Sequence, residues 1–176
     1  MTNTTENIIL IGMPGAGKST LGVVLAKILG YEFIDADLLI QGKLAKTLQK
    51  IIDACGPDGF IEVENEVLCT LSTSHAIIST GGSAVYSDEA MKHLSEIGYV
   101  VYLQISYDEL KSRLSDLQER GVVLKNGVGM SLHELFDERK PLYDKYAEVT
   151  VNVDDLTITA AARKVASALK GLVPEA

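Results

Sequence analysis

The run Gly12-Met13-Pro14-Gly15-Ala16-Gly17-Lys18-Ser19 satisfies the pattern G-x-x-x-x-G-K-[ST] and lies between the apolar segment Asn7 to Ile11 and a stretch of helical period. Those flanks matter more than the string itself. A strand that turns through glycines straight into a helix aims successive backbone N–H groups, and the positive end of the helix, at one anion. Gly12, Gly15, Ala16, Gly17, Lys18, Ser19 and Thr20 are therefore the candidate nucleotide-binding residues. Lys18 has the reach for the β- and γ-phosphates, and Ser19 has a hydroxyl for Mg²⁺. A glycine-rich turn that binds nothing is the competing reading, and the strand and helix on either side argue against it.

Strand-length apolar runs recur at Asn7 to Ile11, Tyr31 to Ile34, His75 to Thr80, Tyr99 to Ile105 and Glu148 to Val153, most of them followed by a helical stretch. Such alternation predicts a parallel α/β sheet. Leu21, Val24, Leu25, Ile28 and Leu29 share a helical face, and Gly30 supplies the stop. Ser106 with Glu109, and Ser131 with Glu134, fit capping boxes. Pro141 predicts an end or a kink in the helix begun at Ser131. Gly56-Pro57-Asp58-Gly59 reads as a turn between helices covering about Thr47 to Ala54 and Phe60 to Leu71. Gln118 to Gly129 has no sustained period and holds Gly121, Asn126, Gly127 and Gly129, the pattern of a mobile lid.

The 176 residues, 47% of them hydrophobic, are enough for one substantial core, so residues 1–176 read as a single domain. Lysine and arginine total 16 against 24 acidic residues, a formal charge of -8, which opposes attraction to a nucleic-acid backbone or an anionic membrane. The polar start, Met1 to Asn7, and the lack of a long apolar run lead us to expect a cytoplasmic chain, with a monomer as the expected state. Cys55 and Cys69 have no metal or redox spacing, and His75, His93 and His133 are scattered, so no zinc site is expected.

A phosphate loop needs an acid near its metal, and Asp35, ending the second apolar run, is the candidate. Asp37 lies two residues on, and an extended backbone would point both carboxylates toward the carboxyl edge of the sheet. One could orient the waters of Mg²⁺ while the other faces an acceptor hydroxyl. The competing reading makes Asp37 a helix cap. Of the four arginines, Arg120 falls in the lid, where a planar fork suits developing phosphoryl charge. Arg163 reads as a surface residue.

These motifs, in this order, resemble the shikimate kinase family: the loop, Phe33-Ile34-Asp35-Ala36-Asp37, Gly59-Phe60 with Glu64, Thr80-Gly81-Gly82, the lid with Arg120, and Arg139-x-Pro141-x-Tyr143. The resemblance covers nearly the whole chain. It implies a three-layer α/β/α fold with a five-stranded parallel sheet of order 2-3-1-4-5, and substrate-binding helices over about 38–72. Implied too is ATP- and Mg²⁺-dependent transfer of a phosphoryl group to shikimate, with Lys18, Asp37 and Arg120 catalytic. In that scheme Ser19 and Asp35 serve the metal, Arg113 lies against adenine, and Gly81, Gly82 and Arg139 hold the acceptor.

The chain departs from the family pattern twice. Ser83 stands where a third glycine is usual, a minor change. Ile61 stands where the family has the arginine that shares the substrate carboxylate with the residue matching Arg139. Losing one buried charge-assisted hydrogen bond is worth about 1.5 to 3 kcal/mol. Either the acceptor is bound differently, with Lys43 or Lys50 compensating, or it is another polyol or hydroxy acid, as in a gluconate-type kinase. A nucleotide-switched regulator is a further alternative, but the base-reading Asn-Lys-x-Asp is absent.

Overall fold

The computed structural model describes residues 7–118 and 130–173. Its strands are β1 (Asn7–Ile11), β2 (Glu32–Asp35), β3 (Ala76–Ser79), β4 (Gly98–Gln104) and β5 (Val149–Asn152). They form one sheet of order β2-β3-β1-β4-β5 in which every pairing is parallel. Strand β1 is buried at every position, and its apolar run Ile8 to Ile11 suits the middle strand of a sheet covered on both faces.

Seven helices are described: α1 (Lys18–Leu29), α2 (Ala36–Leu44), α3 (Leu48–Cys69), α4 (Asp88–Ile97), α5 (Tyr107–Gln118), α6 (Leu132–Tyr146) and α7 (Ile158–Ala168), with a short 3-10 turn at Ala84–Tyr86. The chain steps one way across the sheet from β1 to β2 and the other way from β3 to β4. Right-handed crossovers therefore place α1 and α4 on opposite faces. Helix α7 packs on α1, and α3 packs on α4. Helices α2 and α3 also share a small apolar cluster of their own, Ile40, Ile51, Phe60 and Val67, apart from the main core.

The sequence boundaries of the strands hold to within a residue or so, and Gly30 ends α1 in the left-handed conformation, at φ 71°. The two helices expected around Gly56 are the two segments of α3, which meet at a kink at Gly56 (φ 74°, ψ 175°), and Pro57 can open the second segment because a first-turn residue needs no N–H partner. Two local expectations are corrected. Helix α6 continues past Pro141 to Tyr146, because its buried residues Arg139 and Tyr143 lie on both sides of the proline and hold the helix to the core. The Ser131–Glu134 capping box is complete, whereas at Ser106 only half forms: Glu109 N–H donates to Ser106 Oγ, but Ser106 N–H donates to Asp154.

A buried polar pin closes the amino-terminal edge of the sheet. Asn7 Nδ2 donates to Thr73 O and Ile97 O, each at 2.8 Å, and its Oδ1 accepts from Ala76 N at 3.0 Å. One side chain thus ties the entrances of β1, β3 and β4. Asn7→Ala would strand the buried Ala76 N–H and the part-buried carbonyls of Thr73 and Ile97, at about 1 to 3 kcal/mol for each left unsatisfied. We expect a fall in unfolding free energy of about 3 kcal/mol or more by urea titration, with unchanged kinetics at low temperature; a loss under about 1 kcal/mol would mean that water replaces the side chain.

Candidate active site

The glycine-rich loop follows directly from β1. Gly12, Gly15 and Gly17 take φ of 147°, 88° and 92°, values closed to most residues, and the helix opens at Lys18 immediately beyond. Leu110 and Leu114 of α5 crowd Gly15 so closely that a Cβ there would stand 2.9 Å from Leu114 Cδ2. Ala16 is buried, while Ser19 and Thr20 are exposed at the mouth of the loop. Lys18 is buried, and its ammonium donates to Gly12 O at 2.7 Å and to Met13 O at 3.0 Å. Burial pushes the ammonium down to about 8, and Asp37 is the largest of the charges opposing that fall.

Ser19 Oγ donates to Asp35 Oδ2 at 2.6 Å and lies 3.1 Å from Ser79 Oγ. Asp35 and Ser79 are register partners at the carboxyl ends of β2 and β3, so three hard oxygen donors converge where the loop delivers phosphate. Such a set suits Mg²⁺, which keeps several waters and shares phosphate oxygens rather than occupying an all-protein cage. No cluster of three or more His, Cys, Asp or Glu occurs among the described residues. Ser79 carries no sequence signal of this role, because a serine at a strand end is not an acid.

Asp37 does not continue an extended strand. Asp35 caps α2 by accepting from Asp37 N at 2.9 Å and Leu38 N at 3.2 Å, so the backbone turns helical at Ala36. The expected side-by-side projection of the two carboxylates is thus wrong, and the cap is Asp35 rather than Asp37. The turn nevertheless sends Asp37 to the acceptor side: its Oδ1 lies 3.4 Å from the point a Cβ on Gly81 would occupy.

The loop, Asp37, the α3 wall and the segment after β3 enclose a cleft of about 820 Å³. Lys18, Ser19, Asp37, Gly81, Gly82 and Arg139 all line it. Ile61 does as well, on the face of α3 that also carries Asp58 into the cleft and buried Glu64 beneath it, each one helical turn away. Glu64 accepts from Ser83 Oγ at 2.5 Å, which gives the serine a structural use at the position where a glycine was expected. Gly82 could not carry a side chain: a Cβ would stand 2.8 Å from both Arg139 Nη1 and Pro14 Cδ. Tyr143, stacked on Tyr102, donates its hydroxyl to Gly82 O at 2.8 Å and so anchors the segment from below.

Other candidates fall elsewhere. Arg113 lies outside the cleft lining, its Nε donating to Glu109 at 2.8 Å and its Nη2 to Val153 O at 3.2 Å. Lys43 donates to Thr70, and neither it nor Lys50 lines the cleft. Arg163 is exposed. Of the lid expected over 118–129, Gln118 ends α5, and the rest, Arg120 included, lies outside the described residues. No helix of the described residues is long and apolar enough to cross a membrane. Two cleft residues had no sequence signal, Tyr86 and Glu138. Tyr86 donates its hydroxyl to Glu138, accepts from Arg139 Nε at 3.1 Å, and places its ring 5.1 Å from the guanidinium carbon.

Comparison with known proteins agrees with this layout. The family model described as shikimate kinase matches residues 14–170. A shikimate kinase of Francisella tularensis subsp. novicida is 36% identical over 167 residues, covering 94% of this chain and 95% of the relative. One of Vibrio parahaemolyticus is 34% identical over 166 residues, covering 94% and 96%. Among solved structures, shikimate kinase from Acinetobacter baumannii in complex with shikimate superposes with a TM-score of 0.84 at 30% identity, over 97% of this chain and 96% of that one.

Proposed function

The chain belongs to the shikimate kinase family, and on that premise we propose that its cleft is where the γ-phosphoryl group of ATP passes to a hydroxyl of shikimate. The activity is that of an ATP-dependent shikimate phosphotransferase. The observation that supports this placement is the convergence of buried Lys18, the Asp37 carboxylate and buried Arg139 on a single cleft of about 820 Å³.

The loop N–H groups and Lys18 bind the phosphates, and Lys18 follows the charge that grows on the transferred group. Ser19 and Asp35 would hold Mg²⁺, which supplies further neutralisation of the phosphates when bound. Asp37 accepts the proton of the acceptor hydroxyl as that oxygen attacks. The backbone of Gly81 and Gly82 and the Arg139 guanidinium orient the acceptor, the arginine by its carboxylate. Arg120 is assigned to the phosphates and Arg113 to the adenine side. We further propose that the chain acts as a monomer in the cytoplasm.

Ile61 leaves the acceptor carboxylate with one arginine. Ile61→Arg restores the second cation on the same wall, between Asp58 and Glu64, which are close enough to steady it. KM for shikimate is expected to fall roughly ten-fold. The value of kcat should change little, because the carboxylate is remote from the transferred group and is held equally in ground and transition states. Steady-state kinetics against an acceptor-free control test both statements. Wild-type turnover no faster than that control would refute shikimate as the acceptor. Ready wild-type turnover with no gain in the variant would show that another group already fills the second position.

A further inference from the structure

The acceptor end of the cleft contains a contact that the transfer chemistry does not require. Arg139 sits on α6, and Tyr86 reaches it from the 3-10 turn after β3, 53 residues earlier in the chain. Tyr86 holds the arginine twice over, its ring against the guanidinium at 5.1 Å and its hydroxyl oxygen accepting from Nε at 3.1 Å. A phenol has one proton to give. Because that proton goes to Glu138, the oxygen is left to turn a lone pair toward Arg139. Burial raises the Tyr86 phenol above its ordinary range, so the proton stays available for this purpose at neutral pH.

We propose that Tyr86 is a positioning residue for the acceptor: with Glu138 orienting its hydroxyl, it fixes the single guanidinium of Arg139 so that a ligand carboxylate is taken end-on by the two Nη groups. The proposal rests on the kinase function proposed above. With Nε committed to Tyr86, the side-on approach through Nε and one Nη is closed, and the Nη edge remains. Gly82 leaves the space that Nη1 occupies, since a Cβ there would stand 2.8 Å from it. With Ile61 on the α3 wall, Arg139 is the one arginine lining the cleft among the described residues, so its aim decides how well the carboxylate is held. Binding to a group already held in place costs less ordering than binding to a free side chain.

The test is a double-mutant cycle on the full chain with ATP and shikimate. Tyr86→Phe keeps the ring and removes the hydroxyl. It is expected to raise KM for shikimate by about ten-fold, with kcat and KM for ATP within about two-fold of wild type. In an Arg139→Lys background, which has no guanidinium Nε to hold, the same change is expected to lower kcat/KM by less than about two-fold. A merely structural tyrosine would lower activity equally in both backgrounds, and that result overturns the proposal. So does a wild-type KM in Tyr86→Phe. If the wild type itself does not phosphorylate shikimate, the kinase function proposed above is wrong and this role falls with it; if it does and only the Tyr86 expectations fail, the function stands and the positioning role alone is lost.

Discussion

Lys18→Met is expected to lower kcat by on the order of 10²- to 10³-fold or more, the cost typical of losing one preorganised donor to transition-state charge. The lysine has no surface role to offer as an alternative explanation, being buried at the start of α1 with its ammonium against Gly12 O and Met13 O. Methionine has a similar length and an apolar stem, so the core contacts of the side chain persist, and removing a buried ammonium relieves a desolvation cost. Thermal unfolding should therefore shift by only a few degrees, and circular dichroism should be unchanged. Activity above a tenth of the wild-type kcat would remove Lys18, and with it the phosphate loop, from the chemistry.

Asp37→Asn is expected to lower kcat by 10²- to 10⁴-fold while nucleotide affinity changes little, since an amide keeps the hydrogen bonds and loses the base. A second effect must be separated from the first. Asp37 is the largest charge holding the Lys18 ammonium up against burial, which already brings it to about 8. Without that carboxylate Lys18 falls further and loses its proton at a lower pH. If the defect came only from a neutral Lys18, lowering the pH through that range would reprotonate it and restore kcat. If Asp37 is the base, kcat stays low at every pH below neutrality. A pH profile of the variant, beside fluorescence titration with nucleotide, distinguishes the two; recovery in acid would reassign Asp37 to an electrostatic role.

The phosphate site was legible because its elements are contiguous. Strand β1, the glycine turn and the opening of α1 occupy residues 7 to 18, and each obeys a local rule. The Ser131 capping box and the Gly30 stop were readable for the same reason. Local rules also explain the misreading at Asp35 and Asp37, where two periods competed. An extended reading put both carboxylates on one side, but an aspartate before Ala-Asp-Leu-Leu is as good a helix cap, and the cap won. At Pro141 the local preference for a helix end lost to burial of Arg139 and Tyr143 on either side of it. Asn7, Ser79, Tyr86 and Glu138 could not have been found this way. Their partners lie 52 to 90 residues off, joined only once the sheet is assembled. Family resemblance supplied Gly81, Gly82 and Arg139, and the reason for Gly82, its contact with Pro14 and Arg139, is visible only in three dimensions.

The place of β1 in the sheet bears on how the chain is made. Although β1 is synthesised first, it pairs on one side with β3 (Ala76–Ser79) and on the other with β4 (Gly98–Gln104). A nascent chain that has emerged only as far as α3 therefore holds the whole phosphate loop in its sequence but neither of the strands that pair with β1. Gly12 packs beneath Leu103 O of β4, Gly15 against Leu110 and Leu114 of α5, and Ser19 against Ser79 of β3. Until β4 has left the ribosome, β1 keeps at least one open edge of the kind that joins neighbouring chains edge to edge. In this topology the first of the five strands waits for the fourth, and in that interval ligand binding cannot stabilise the chain, because the site that could bind ATP has not yet formed.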